Sequence, residues 1–404
     1  MPFAQLVIGP PGAGKSTYCN GMQQFMGAIG RKCSIVNLDP ANDRTSYSAA
    51  VDVRDLVTLE SIMDDDDTRL GPNGGVLFAL EELEENYVWL EDRLAALGDD
   101  YVLFDCPGQV ELFTHHASLR RVVGRLEKTG FRVCLAFFWF SSGSLEGGIC
   151  FGVGGAAYYA TDYANTLVVS ITQLVVVNLI DSYALTLPSL YISTLLLSLR
   201  SMLQMDLTHI NVLTKIDNLH KYPPLPFNLA YYTEVQDLEY LLPSLEQESA
   251  MFGQGKFQAL NEAIVNLVEE FGLVGFETLA VEDKKSMMSL LRTIDRAGGY
   301  AFGAAEGAGD GVWQVAVREG LGTLDIRDVQ ERWIDNKDEW DEKERREWEE
   351  EQKRRENEFN ANAATQDFDP DNMDLDNFRP DIPMDSGVKV VRSGKKKGPS
   401  TEPS

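Results

Sequence analysis

A short glycine-rich stretch near the start of the chain limits the fold more than any other feature. Gly9-Pro10-Pro11-Gly12-Ala13-Gly14-Lys15-Ser16-Thr17 satisfies G-x-x-x-x-G-K-[ST], follows the apolar run AQLVIG and opens a helical pattern. A strand, a phosphate-cradling loop and a helix in that order make a P-loop. The glycines let the backbone curl until successive N–H groups converge on phosphate oxygens, and the helix adds the positive end of its dipole. The sequence therefore assigns Gly12, Ala13, Gly14, Lys15, Ser16 and Thr17 to a bound nucleotide, with Lys15 on the β/γ-phosphates and Ser16 on Mg²⁺.

The chain up to about Gly303 fits around that loop. Short β-branched runs (CSIVNLD, YVLFD, LVVVNLID, INVLTKID, GLVGFETLAV) alternate with longer amphipathic stretches such as Phe257 to Phe271, the pattern of βαβ units on a parallel sheet. The expected fold class is α/β, a doubly wound and mostly parallel sheet of the P-loop, G-protein-like kind. Asp105 closes YVLFD, where a carboxylate holds Mg²⁺ through water, and Gly108 lets the backbone approach the γ-phosphate. Gln109 is placed to orient an attacking water. Glu111 is a second candidate for that role or else a solvated or capping residue, and Asp39 either reaches the metal or its water or caps a helix after Pro40. Base choice falls to Thr214-Lys215-Ile216-Asp217. A carboxylate there accepts both N1–H and N2–H of guanine, which adenine does not offer, while the lysine stem lies over the base. Thr278, Leu279 and Ala280 end the last strand, and their backbone N–H groups are expected to close over the base.

Composition removes several classes of partner. Asp+Glu 63 against Lys+Arg 36 gives a net charge of −27, so direct nucleic-acid binding and attachment to an anionic membrane have no general electrostatic drive. The five cysteines contain no C-x-x-C pair, which argues against a disulfide framework and a zinc site. The opening MPFAQLVIGP lacks the basic and long apolar segments of a secretory leader, so a cytoplasmic location is expected. His115 and His116 point about 100° apart on a helix and converge poorly on one ion. The Asp64 to Asp67 run lacks the spacing of a calcium loop.

Taken together, GPPGAGKST, VNLDPAN, GPNGG, DCPGQVELFTHH, TKID and FNLAYYTEV resemble the GPN-loop GTPases, and VNLDPAND with FNLAYYTEVQDLEYLL is similar to their type-2 eukaryotic branch. Without that likeness, Gly71-Pro72-Asn73-Gly74-Gly75 reads only as a turn. The resemblance implies a GTPase that uses GTP and Mg²⁺ and dimerises with itself or with a paralogue. It implies that Gly71, Pro72 and Asn73 present the Asn73 amide to the nucleotide of the facing subunit. It also implies assembly and nuclear import of RNA polymerases II and III, with shuttling from the cytoplasm to the nucleus. Two rivals share the fold: a GTP-dependent scaffold without catalysis, and a phosphotransferase with an acceptor site.

The stretch from Val133 to Gln173 breaks both the helical and the strand period and has no counterpart in the family pattern. Its removal joins GFR to LVVVNLIDS, and codons for valine and glutamine can carry the GT and AG ends of an intron. We read it as a retained in-frame intron, with a lineage-specific loop as the rival. A membrane span fails because the uncharged run TLVVSITQLVVVNLI is shorter than the ~20 residues needed. The expected organisation is therefore a GTPase domain over 1–303 interrupted at 133–173, a charged helical extension over 304–358, and a tail over 359–404 too polar to order itself. Trp333, Trp340 and Trp348 offer that helix at most one docking stripe. Lys395, Lys396 and Lys397 form a short basic cluster, read as solubilising ahead of a nuclear-import signal.

Overall fold

The computed structural model describes residues 3–43, 45–64, 70–109, 117–129, 136–139, 157–160, 166–170, 174–248, 257–298 and 325–365. The strands are β1 (Ala4–Ile8), β2 (Cys33–Asn37), β3 (Val51–Asp52), β4 (Tyr101–Asp105), β5 (Ala136–Trp139), β6 (Ala157–Ala160), β7 (Thr166–Ser170), β8 (Leu174–Asp181), β9 (Thr208–Thr214) and β10 (Phe276–Thr278). The helices are α1 (Lys15–Ala28), α2 (Leu59–Met63), α3 (Pro72–Glu85), α4 (Tyr87–Ala95), α5 (Ser118–Thr129), α6 (Pro188–Met205), α7 (Leu229–Glu234), α8 (Leu242–Glu248), α9 (Gln258–Phe271), α10 (Lys284–Ala297), α11 (Ile326–Gln330) and α12 (Lys337–Thr365).

Seven strands form one sheet in the order β10-β9-β8-β1-β4-β2-β3, and every pairing in it is parallel. β1 lies at the centre because AQLVI is apolar or internally bonded throughout, and all five of its residues are buried. Continuous apolar runs suit a parallel sheet, whose two faces are both covered by helices. One face carries Leu6, Ile8, Val36, Phe104 and Val176 against Leu80 and Leu83 of α3, Leu90 of α4, and Leu119, Val122 and Leu126 of α5. The opposite face carries Val7, Ile35, Leu103, Val177 and Val212 against Tyr18, Cys19 and Met22 of α1 and Leu290, Leu291 and Ile294 of α10. A third apolar cluster joins α6 through α9 and α11 to Ile180 of β8, Leu213 of β9 and Phe276 of the edge strand β10.

The strands expected from β-branched runs are the observed β1, β2, β4, β8, β9 and β10, and the sheet is wholly parallel rather than mostly so. The sequence reading missed β3, a two-residue edge strand too short to show a period. Within 133–173 the three described strands pair only with one another, antiparallel and in the order β5-β7-β6, and β8 follows directly as a buried strand of the main sheet.

The chain divides into two compact units, 1–341 and 342–404. In the first, Trp333 packs on the α6–α11 cluster, with the Arg332 guanidinium 4.3 Å and the Lys337 ammonium 4.9 Å from its ring centroid. In the second, the described residues are the remainder of α12. There Arg355 pairs with Glu351 one turn earlier at 2.8 Å, and Trp348 is 62% exposed. The helix runs to Thr365, past the expected boundary at 358, because Ala and Glu near its end still favour a helix. Lys395 to Lys397 lie outside the described residues.

Candidate nucleotide-binding site

The P-loop joins β1 to α1, and its glycines are demanded by contact as well as by curvature. Gly9 has φ +144° and a Cβ there would lie 2.2 Å from the Leu179 carbonyl of β8, so only glycine lets the loop leave β1 this close to its neighbour. Gly14 caps α1 in the left-handed region and supplies no side-chain acceptor. The first amides of α1, those of Lys15, Ser16 and Thr17, are thereby left to an external anion. Lys15 is buried, and its Nζ donates to the carbonyls of Gly9 at 3.1 Å and Pro10 at 3.3 Å. Burial lowers its pKa, while Asp105 and Asp39 pull it back up.

At the end of β4, Asp105 is 1% exposed. Its Oδ2 accepts from Ser16 Oγ at 2.8 Å and from the Tyr47 hydroxyl at 2.7 Å, whereas Oδ1 is buried with no hydrogen-bond partner. Burial pushes both the Asp105 carboxyl and the Tyr47 phenol up from their usual ranges. An orphaned carboxylate oxygen beside a P-loop hydroxyl fits a hydrated Mg²⁺, which keeps most of its waters and needs few protein oxygens. Among the described residues, no group of three or more His, Cys, Asp or Glu side chains forms an all-protein cage.

Asp39 is close enough to Lys15 for each to shift the other, but its Oδ1 accepts from the Ala41 amide at 2.9 Å. In this arrangement Asp39 caps a turn at Pro40 and Ala41, where a helix had been expected. Gly108 approaches the P-loop closely: a Cβ there would stand 2.8 Å from Lys15 Nζ and 3.2 Å from Pro11. The next residue, Gln109, donates from Nε2 to Asn73 Oδ1 at 3.3 Å. Gly71 is the N-cap of α3, Pro72 its first residue and Asn73 in its first turn, so the expected free turn is the start of a helix. Asn73 therefore meets Gln109 of its own chain. Glu111, His115, His116 and Asp65 to Asp67 lie outside the described residues.

β9 carries the base motif to the same edge. Thr214 Oγ1 donates to Ala13 O at 2.8 Å, and Lys215, held at φ +58°, donates from Nζ to Gly12 O at 2.6 Å and to Asp181 Oδ2 at 2.7 Å. The motif is thus tied to the P-loop by two contacts, and Asp217 stands half-exposed in the following turn, Ile216–Lys221. The expected roles of the last strand need correction. The Leu279 amide donates to Leu213 O at 2.8 Å and the Ala280 amide to Ser286 Oγ at 3.0 Å, so neither is free to close over a base. Thr278 gives its carbonyl to Ser286 Oγ at 3.2 Å. Sequence reading also missed Asp181, although it ends an apolar strand as Asp39 and Asp105 do. It missed Tyr47, Asn42 and Ser46 for want of any local signal.

Residues 7–139 and 161–300 match a family profile described as "Conserved hypothetical ATP binding protein". The unmatched residues, 140–160, are narrower than the stretch 133–173 that was expected to have no counterpart, since 133–139 and 161–173 do match the family. The chain is 48% identical over 347 residues to GPN-loop GTPase 2 of Saccharomyces cerevisiae, covering 85% of this chain and 88% of the relative. It is 46% identical over 344 residues to GPN-loop GTPase 2 of Schizosaccharomyces pombe, with 85% and 95% covered. It is 42% identical to the GPN-loop GTPase QQT1 of Arabidopsis thaliana, with 75% and 87% covered. The fold is similar to that of a GTPase from Pyrococcus abyssi solved in apo form, with a TM-score of 0.50, 21% identity, and 73% of this chain and 97% of that one covered.

Proposed function

The chain belongs to the GPN-loop GTPase family, and from that premise we propose that it binds GTP with Mg²⁺, hydrolyses it, and uses the cycle to control an assembly. The observation that carries this reading is the double tie of Thr214 and Lys215 to the P-loop carbonyls of Ala13 and Gly12. It joins the segment that selects a base to the loop that holds phosphates. Asp217 favours guanine over adenine, which separates GTP from the ATP of the profile's description.

In this reading the amides of Gly12, Gly14, Lys15, Ser16 and Thr17 and the Lys15 ammonium hold the phosphates, and Ala13, whose amide donates to Pro10 O at 3.2 Å, shapes the loop around them. Ser16 and Asp105 hold the metal, with Asp39 behind them, and Gly108 lets the backbone reach the terminal phosphate. Mg²⁺ supplies charge neutralisation on the phosphate oxygens. Gln109 orients water, with Glu111 as its alternate and Asn73 beside it, and loss of the γ-phosphate releases the segments that end at Asp39 and Asp105. The working unit is a dimer with a second copy or a paralogue, its clients are subunits of RNA polymerases II and III, and it moves between cytoplasm and nucleus. Support for the dimer, clients and location is the motif resemblance. No direct contact with nucleic acid or membrane is proposed, in keeping with the charge of −27 and with the lack, among the described residues, of a helix long and apolar enough to span a bilayer.

The test is phosphate release from GTP and ATP by purified chain, alone and with polymerase subunits. Free phosphate from GTP alone is the expected result. Phosphate transferred to an acceptor would favour the phosphotransferase, and tight GTP binding with no release in a single turnover would favour the scaffold.

A further inference from the structure

Tyr47 lies between β2 and β3, outside every motif, yet it is 7% exposed and its hydroxyl donates to Asp105 Oδ2 at 2.7 Å. Ser16 Oγ donates to that same oxygen at 2.8 Å. Two donors thus converge on one oxygen, and the other, Oδ1, is equally buried and has no hydrogen-bond partner. The last torsion of an aspartate is soft. Two hydrogen bonds to a single oxygen remove that freedom and decide which oxygen is offered to a ligand. Ser16 has a second duty in the reading above, because its oxygen also meets the metal while it accepts from Asn42 and donates to Asp105, so its position follows the occupancy of the site. Tyr47 has no such conflict.

The segment carrying Tyr47 meets Ser16 at two further points. Asn42 Nδ2 donates to Ser16 Oγ at 3.1 Å, and Ser46 Oγ donates to Ser16 O at 3.4 Å. We propose that Tyr47 is the positioning residue of the metal site: its hydroxyl holds Asp105 so that Oδ1 is left for Mg²⁺ or its water, and it thereby couples the 39–50 segment to metal occupancy. The inference rests on the nucleotide and metal reading above, and the experiment is chosen to separate the two.

The experiment follows release of fluorescent GDP from the full chain across a Mg²⁺ titration, in wild type, Tyr47→Phe, Asp105→Asn and the double variant. Tyr47→Phe keeps the ring in the core and removes only the donor. It should raise the half-saturating Mg²⁺ concentration about tenfold, the scale of one lost bond to a charged group, while release in EDTA changes less than twofold. In the Asp105→Asn background the same change should add less than twofold. The Mg²⁺-dependent rise in melting temperature of the GDP-bound chain is a second readout and should shrink in Tyr47→Phe. A Tyr47→Phe titration that superimposes on wild type, or a shift of equal size without the carboxylate, overturns the role of Tyr47. An Asp105→Asn chain with wild-type Mg²⁺ dependence overturns the metal reading beneath it.

Discussion

Asp217 and Lys15 carry separable discriminations, and each can be lost without the other. Asp217→Asn replaces an acceptor of two donors with an amide whose NH₂ faces them. GTP affinity should fall about a hundredfold, the scale of two bonds to a charge, while xanthosine triphosphate, with a 2-oxo group opposite that NH₂, should bind better than GTP. Competition binding of the two nucleotides checks this, and an unchanged preference would remove Asp217 from the base site. Lys15→Ala removes the buried ammonium beside the P-loop carbonyls and should abolish measurable GTP binding by calorimetry. A third residue speaks to stability. Both ring nitrogens of His209 are buried without a hydrogen-bond partner, and burial lowers its pKa to about 4. The unfolded chain, with an ordinary histidine near 6.5, takes up the proton first, so stability is present above about pH 6.5 and is lost as pH falls towards 4. Between pH 7 and pH 5 this costs about 2 kcal/mol. Urea unfolding at the two pH values should show that loss in wild type and a smaller one in His209→Phe.

At the scale of elements, the helix that begins with Gly71 and the helix that follows Gln109 are tied together. Arg121 Nη1 meets Glu84 Oε1 at 2.8 Å, and Arg125 Nη1 donates to Glu84 O at 2.6 Å, so the last turn of α3 is clamped to α5. With Asn73 against Gln109 at one end of α3, Asn73→Ala should depress kcat for GTP hydrolysis about tenfold or more, the range of a lost polar contact to a reacting group. GTP affinity should change less than threefold. Mixing Asn73→Ala with Gln109→Ala subunits decides whether the pair acts within one chain or across two.

The elements also show what a sequence makes visible. β1, β4 and β9 were legible because a buried parallel strand is an unbroken apolar run, and the P-loop and TKID stand at their ends. The base contacts assigned to Leu279 and Ala280 were wrong because the amides bond Leu213 and Ser286, partners far along the chain or out of register with any local period. Tyr47 was invisible for a similar reason: it meets Asp105 across 58 residues. The stretch 133–173 was visible by breaking both periods. Since β5, β6 and β7 pair only among themselves, deleting 133–173 leaves every pairing of the main sheet in place. The shortened chain should fold with a melting temperature at or above that of the full chain, and sequencing the transcript across this junction should find those codons absent. Their presence in the mature message would leave a lineage-specific loop.

For the whole molecule, the central claim is that two distant stretches of chain, the P-loop and Thr214 to Asp217, build one guanine-nucleotide site whose hydrolysis depends on assembly. A dimer dependence belongs at this scale, and activity per subunit should rise with protein concentration through the dimerisation range. The most direct measurement is single-turnover release of phosphate from GTP and from ATP, with Mg²⁺, at several protein concentrations, in wild type and Lys15→Ala. The account predicts stoichiometric free phosphate from GTP, little from ATP, a rate that climbs with concentration, and none in the variant. Equal rates on ATP, or wild-type turnover without Lys15, would contradict it.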